Sequence, residues 1–327
     1  LTEDDANLIK EFVYVKSTRD GNSDARVKKL IFTLVSWRRF IRKPYRDAGI
    51  IDLYEGIKGL KEGTSIRGKE YSQNAKHDYI RILRQFYIWM IREDYSKIQE
   101  SKIKDIKVPA VDMETSDPEE ILTPDEIDRL IKACKYSRDR ALISCFYESG
   151  ARVGELARLT WKDLTFDEYG VRCRIRDTKM RKGQVSFRYT RLTSSLHHLA
   201  VWKNDSPDVS PDAPVFISLK NGSEITYITV TRLISRLGKA AGIEKRLNPH
   251  IFRKSRITHM IAQNYQESVV KKSIWNNLDT KMFKTYVCLG EEEIDDEFLS
   301  KMGVKKKKTA EENVLAPITC ARCHYLN

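Results

Sequence analysis

No apolar run in these 327 residues approaches the ~20 consecutive residues that a bilayer-spanning helix requires, and no signal peptide opens the chain. Neither a membrane-spanning nor a secreted product is therefore expected. Cysteine is scarce: the six (Cys134, Cys145, Cys173, Cys288, Cys320 and Cys323) stand mostly isolated in apolar or strand-like surroundings. A disulfide framework is not what such spacing describes; reduced, buried thiols of a cytosolic protein are. Acidic residues are outnumbered, 46 Asp and Glu against 59 Lys and Arg, for a formal net charge of +13. That excess implies a polyanionic partner, and with no membrane segment the choice falls on nucleic acid rather than an anionic membrane surface. The chain begins at Leu1 and not at Met, as expected of a trimmed chain or fragment, and its length accommodates two domains with separate cores.

Two stretches carry the chemistry. The first is Pro249 to Tyr286, which opens with His250-Ile-Phe-Arg253 and closes with Lys281-Met-Phe-Lys-Thr-Tyr286. A His and an Arg at i and i+3 share one face of a helix, so one turn would aim an imidazole and a guanidinium at the same point, a pairing suited to a phosphate. Taken alone, His-x-x-Arg describes a basic surface helix, and the motif needs a partner elsewhere. The second stretch is Glu148-Ser-Gly-Ala-Arg152-Val-Gly-Glu155-Leu-Ala-Arg-Leu159. Ser149-Gly150 breaks one helix, Arg152 stands at the mouth of the next, and Val153, Leu156 and Leu159 face inward.

With Ser-Gly-Ala-Arg152-x-Gly-Glu155-Leu, then His250-x-x-Arg253, then Tyr286 33 residues after Arg253, the chain resembles the tyrosine recombinase (phage integrase) family. The resemblance runs from Leu1 to about Val304 and is nearest to archaeal integrase-like members. It implies a mostly α fold with a small β-sheet: an N-terminal helical, SAM-like core-binding domain over residues 1–102, a linker over 103–121, a catalytic domain over 122–304 and a basic tail over 305–327. It also implies double-stranded DNA and further protomers of the same chain as partners, a tetramer on paired sites, no cofactor, no membrane, and a cytoplasmic, DNA-associated location.

The chain in order fits this outline. Thr2-x-x-Asp5 reads as a helix cap, with Ala6, Ile9, Phe12 and Val13 at helical spacing behind it. Leu30, Leu34, Trp37 and Ile41 form a second stripe, with Arg38, Arg39, Arg42 and Lys43 crowding its end. Residues 51–60 make a short third helix, and Tyr79, Ile82, Leu83, Phe86, Trp89 and Met90 a fourth, clearest of all. Lys69, Lys76, Arg81, Arg84 and Arg92 would lie outside and grip DNA backbone. Residues 103–121, with Pro109, Pro118 and an acidic run, lack apolar periodicity. Thr123-Pro124 then caps a new helix. Val171–Ile175 and Val185–Tyr189 alternate with period two around a Lys/Gly turn, as a β-hairpin does. Helices resume over 194–203, 227–241 and from Pro249, and a short amphipathic one follows Tyr286; the resemblance implies that it docks on a neighbouring protomer, packing on its own chain being the alternative.

Breaking a phosphodiester without metal takes a nucleophile, charge neutralisation at the phosphorane and a proton for the leaving oxygen. A tyrosine phenol titrates near ~10 and needs a cationic pocket or a base to attack at neutral pH. The resemblance makes Tyr286 that nucleophile, Arg152 and Arg253 the cations, His250 a proton shuttle, and a hairpin lysine the acid. Lys179 is chosen because it follows the first strand, with Lys182 as the alternative. Glu155 is expected to orient Arg152. One departure stands out: nine residues before Tyr286, where the family has a second His or a Trp, this chain has Asn277, which donates a hydrogen bond but carries no charge. Trp275, two residues earlier, is the other residue that loop could present. A DNA-binding protein with weakened chemistry is thus a second reading, and a transposon-end or RNA-binding helical protein a third. In the tail, Cys320-x-x-Cys323 is half of a zinc site, expected to be metal-free as it stands and to be the first knuckle of a ribbon continuing past Asn327.

Overall fold

The computed structural model describes residues 1–112, 118–177 and 186–280, together with residues 282, 283, 298, 299 and 302. The chain divides into two compact units, Leu1–Met113 and Glu114–Asn327. The first is helical: α1 (Glu3–Arg19), α2 (Asp24–Trp37), α3 (Ile50–Glu62), α4 (Gln73–Arg92) and α5 (Glu100–Lys104). Thr2 caps α1 as its sequence predicts, the Thr2 hydroxyl accepting from the Asp5 N–H at 3.1 Å and Asp5 accepting in return at 3.3 Å. Leu8, Phe12, Leu30, Leu34, Trp37, Leu83, Phe86 and Met90 interlock in the core.

Two features of this unit differ from the pattern on the sequence. Arg38 is not part of an exterior basic cluster. Its guanidinium lies 3.0 Å from the wholly buried Asp5 and donates to the carbonyls of Ile41, Arg42 and Lys43, closing the turn after α2. Asp5 also accepts from the Tyr45 N–H at 2.8 Å, so the buried charge is paired and hydrogen-bonded, the condition under which such a carboxylate is tolerated. Second, Ile103 and Ile106, in the segment where periodicity is absent, are buried in this core; a single turn of helix is too short to show a period.

The second unit comprises α6 (Pro124–Lys132), α7 (Ser137–Ser149), α8 (Val153–Ala157), β1 (Leu164–Asp167), β2 (Gly170–Arg176), β3 (Phe187–Leu192), α9 (Leu196–Asp205), α10 (Tyr227–Ala240), α11 (Pro249–Ala262) and α12 (Glu267–Trp275). Thr123 caps α6 with Pro124 in its first turn. The central element is α7, buried along nearly its whole length and packed against α6, α9, α11 and β3. The sheet is antiparallel in the order β1-β2-β3. Strand β1, with only four residues, has no visible period and is not apparent from the sequence. Val171, Cys173 and Ile175 of β2 point inward. On β3 the apolar alternation is misleading: Phe187 and Tyr189 are exposed, and Arg188, opposite Ile175, is the residue that points in. Cys134, Cys145 and Cys173 are buried free thiols, and burial pushes Cys134 and Cys173 up to about 12. Cys288, Cys320 and Cys323 lie outside the described residues.

Candidate active site

Helix α7 ends at Ser149 because Gly150 adopts a left-handed backbone, φ +55°, which glycine enters without steric cost. The chain then turns extended through Arg152 (φ −79°, ψ 155°), which becomes the N-cap of α8. Glu155, one turn on and almost wholly buried, reaches back. Its Oε2 accepts from the Arg152 backbone N–H at 2.9 Å, and its Oε1 from the Arg152 guanidinium at 2.5 Å. Arg152 itself remains partly open, its side chain 19% exposed, with Asp177 at 3.9 Å. Burial alone would push the Glu155 carboxyl up, but the charge of Arg188, then the N–H and charge of Arg152, outweigh it and hold the group below the usual carboxylate range.

Arg253 occupies the second turn of α11. That helix starts where Asn248 accepts from the N–H groups of His250 and Ile251 at 2.9 and 3.2 Å, with Pro249 supplying the fixed φ of a first turn. Arg253 is 1% exposed and holds two chain segments by their carbonyls: Nη1 donates to Gly150 O at 2.7 Å and Nη2 to Ile274 O at 2.9 Å. Its guanidinium carbon sits 5.2 Å from the Trp275 ring centroid. The two motifs, about a hundred residues apart in sequence, thus meet at the turn that leads into Arg152. His250 is on the exposed side of the first turn of α11.

Helix α12 ends at Asn276, also left-handed (φ +53°), whose amide donates to the Ser186 hydroxyl at 2.7 Å and so ties this end to the start of β3. Asn277 follows, exposed, its side-chain oxygen accepting from the Asp279 N–H at 2.9 Å. Trp275, Arg253, Glu155 and Arg152 are thereby brought into one neighbourhood. Tyr286, Lys179 and Lys182 lie outside the described residues.

Arg188 is the member of this neighbourhood that the sequence does not reveal. It is 3% exposed; Nη2 donates to Glu155 Oε2 at 3.0 Å, and Nη1 to Ser273 O at 2.6 Å and Ser149 O at 3.4 Å. The one signal is an arginine at a β3 position facing the inward Ile175. Behind the site, Ser255 joins α11 to the entry of α6: its hydroxyl donates to Ile251 O at 2.8 Å and accepts from the Leu122 N–H at 2.9 Å. His259 lies 2.8 Å from the Tyr147 hydroxyl, and burial, then the nearby Arg256, push it down to about 4.

A buried guanidinium thus pins the turn before a second, partly open guanidinium, and both sit in a helical domain with a three-stranded sheet. Residues 120–290, just over half of the chain, match the phage integrase family, and the chain belongs to that family. Among curated relatives, it is 27% identical over 192 residues to transposase A from transposon Tn554 of Staphylococcus aureus, which covers 56% of this chain and 52% of the relative. It is 25% identical over 299 residues to tyrosine recombinase XerA of Saccharolobus solfataricus, covering 88% and 91%. The chain therefore spans about half the length of the Tn554 transposase it matches. Among solved structures, a lambda integrase tetramer bound to a Holliday junction superimposes with a TM-score of 0.65 at 16% identity, over 86% of this chain and 77% of that one, a likeness of fold.

Proposed function

We propose that this chain is a site-specific DNA recombinase that cuts and rejoins duplex DNA through a 3′-phosphotyrosyl intermediate. The carrying observation is the carbonyl clamp of Arg253 on Gly150, which joins the two arginine motifs at one turn. In this reading the Tyr286 phenol oxygen attacks the scissile phosphorus, forming the P–O(Tyr) bond as the P–O5′ bond breaks. Lys179, or Lys182 in its place, gives the departing 5′-oxygen its proton. Arg152 and Arg253 offset the charge that develops on the non-bridging oxygens, and His250, one turn from Arg253, handles the phenol proton. Glu155 orients Arg152, and Trp275 backs Arg253. A 5′-hydroxyl from another strand reverses the step and religates without ATP, since the phosphotyrosyl bond retains the energy of the one broken; no cofactor enters. The net charge of +13 and the family's solved complexes with DNA, a tetramer on a Holliday junction among them, support duplex DNA and further protomers as partners at a cytoplasmic, DNA-associated location.

Asn277 motivates one other reading, a DNA-binding protein of this fold whose strand transfer is weakened, because an uncharged amide stands where the family has His or Trp. One experiment separates the two. Genomic fragments captured by the chain are footprinted, the bound site is rebuilt with a nick beside the expected scissile phosphate, and covalent protein–DNA adduct is resolved on a denaturing gel. An adduct is expected, lost in Tyr286→Phe with DNA affinity nearly unchanged, since that change deletes the nucleophile and no charge. Adduct from the Phe variant would refute the assignment; tight binding with no adduct from the unchanged chain would favour the second reading.

A further inference from the structure

We propose that Arg188 is a positioning residue that neutralises Glu155 on behalf of Arg152, so that Arg152 presents an uncancelled positive charge to the scissile phosphate; this rests on the function proposed above. Glu155 carries a single negative charge in a site almost sealed from water, and two guanidinium groups divide it: Arg152 on Oε1 at 2.5 Å, Arg188 on Oε2 at 3.0 Å. The division matters because a lone Arg152–Glu155 pair would be neutral. Such a pair gives a developing phosphorane only a dipole, and the buried carboxylate would draw the partly open guanidinium inward. With Arg188 as the second cation, the triad carries a net positive charge, and that charge resides on the member that reaches solvent. Arg188, at 3% exposure, turns its terminal nitrogens to Glu155 and to the Ser273 and Ser149 carbonyls. Asp177, the other carboxylate near Arg152, stands at 3.9 Å and is partly exposed, so water screens it more than Glu155.

The remaining bonds of Arg188 add a second function. Its Nη1 takes the Ser273 and Ser149 carbonyls, while Arg253 takes the next residue's carbonyl on each segment, Ile274 and Gly150. Two parallel clamps thus hold the end of α12, which leads to Trp275 and Asn277, at a set distance from the turn that leads to Arg152.

The test is a charge rescue, read in two ways on the full chain and its footprinted DNA site. Arg188→Met should cut the single-turnover cleavage rate about 100-fold and flatten the slope of log affinity against log salt by about one phosphate contact. Adding Glu155→Gln to the same chain should restore most of both, because removing the carboxylate leaves Arg152 with its charge again. A residue that only supports the fold predicts the opposite, a double variant as poor as or poorer than Arg188→Met, and that outcome overturns the proposal. So does an Arg188→Met chain with the parental rate and slope. Should Arg188→Met fail to fold, Arg188→Lys, which keeps the charge without the fork, should keep the parental salt slope; a folded Lys variant with the flattened slope would also overturn it. The salt slope needs no chemistry, so a chain that binds DNA but forms no adduct still tests Arg188, while its missing adduct counts against strand transfer alone.

Discussion

Glu148→Gln is the substitution whose effect can be worked most directly from the structure. The Glu148 carboxylate, in a residue 4% exposed, receives five hydrogen bonds at the entry to α9. Thr193 N–H (2.6 Å), the Thr193 hydroxyl (3.0 Å) and Ser194 N–H (3.0 Å) meet Oε1; Ser195 N–H (2.9 Å) and the Ser195 hydroxyl (2.7 Å) meet Oε2. Every partner is a donor, and a carboxylate is the only side chain of this shape that accepts on both ends. Glutamine conserves volume but turns one end into a donor. Whichever way the amide is set, a buried backbone N–H loses its acceptor, at about 1–3 kcal/mol. Loss of the negative charge at a buried helix N-terminus adds up to about 2 kcal/mol. The expected loss is therefore about 1–5 kcal/mol, sizeable against the ~5–15 kcal/mol of a typical domain. The assay is urea unfolding followed by fluorescence, with Trp161 and Trp202 reporting the second unit and Trp37 and Trp89 the first, whose separate core serves as an internal reference. Cleavage should fall as well, because Ser149 and Gly150, whose carbonyls receive Arg188 and Arg253, follow directly. A second-unit transition displaced by less than about 0.5 kcal/mol would refute the accounting.

Two further outcomes follow from the same region. Gly150→Ala places a side chain on a φ of +55° and a Cβ 2.9 Å from the end of Ile274; a loss of about 1–2 kcal/mol with slowed adduct formation is expected, and an unchanged melting temperature would refute it. His259 is neutral when folded, with its pKa pushed down to about 4 by burial and Arg256, against about 6.5 unfolded. The unfolded chain therefore binds the extra proton first, and stability present above pH ~6.5 should decline by about 2–3 kcal/mol as pH falls toward 4. Chemical unfolding at pH 7 and pH 5 of the parental chain and His259→Gln checks this: the variant should lose that part of the pH dependence, and an equal slope in both would refute it.

How much of this was legible beforehand depended on how far apart the interacting groups lie in sequence. The helical stripes, the Thr2 and Thr123 caps and the Gly150 break are local patterns, readable because cap and periodicity involve residues three or four apart. The arginine motifs were recognisable by residue type and order. Arg38 and Arg188 were not, since each looks like any surface arginine until its carboxylate is known, and Asp5 and Glu155 stand 33 residues before them. The role of Glu148 is hidden for the same reason, since its donors come from residues 45 to 47 positions later. Strand β1 and the buried Ile103 and Ile106 leave no mark on the sequence because four or five residues give no period to read. The face of β3 was misleading because its inward position is polar and its outward ones are aromatic.

The double clamp of Arg188 and Arg253 grips main-chain oxygens, and every amino acid has one. The receiving end of each clamp is thus written in backbone geometry rather than in side-chain identity. Position 273, whose hydroxyl among the described residues bonds only to Val270 of its own helix, can change residue as long as α12 still ends at Trp275, two residues before Asn277. An inserted residue, by contrast, would offer the guanidinium groups the wrong pair of oxygens. The arrangement therefore tolerates spelling changes but not changes in count, and a redesign of this segment should vary its letters while leaving the interval from Gln266 to Asn276 intact.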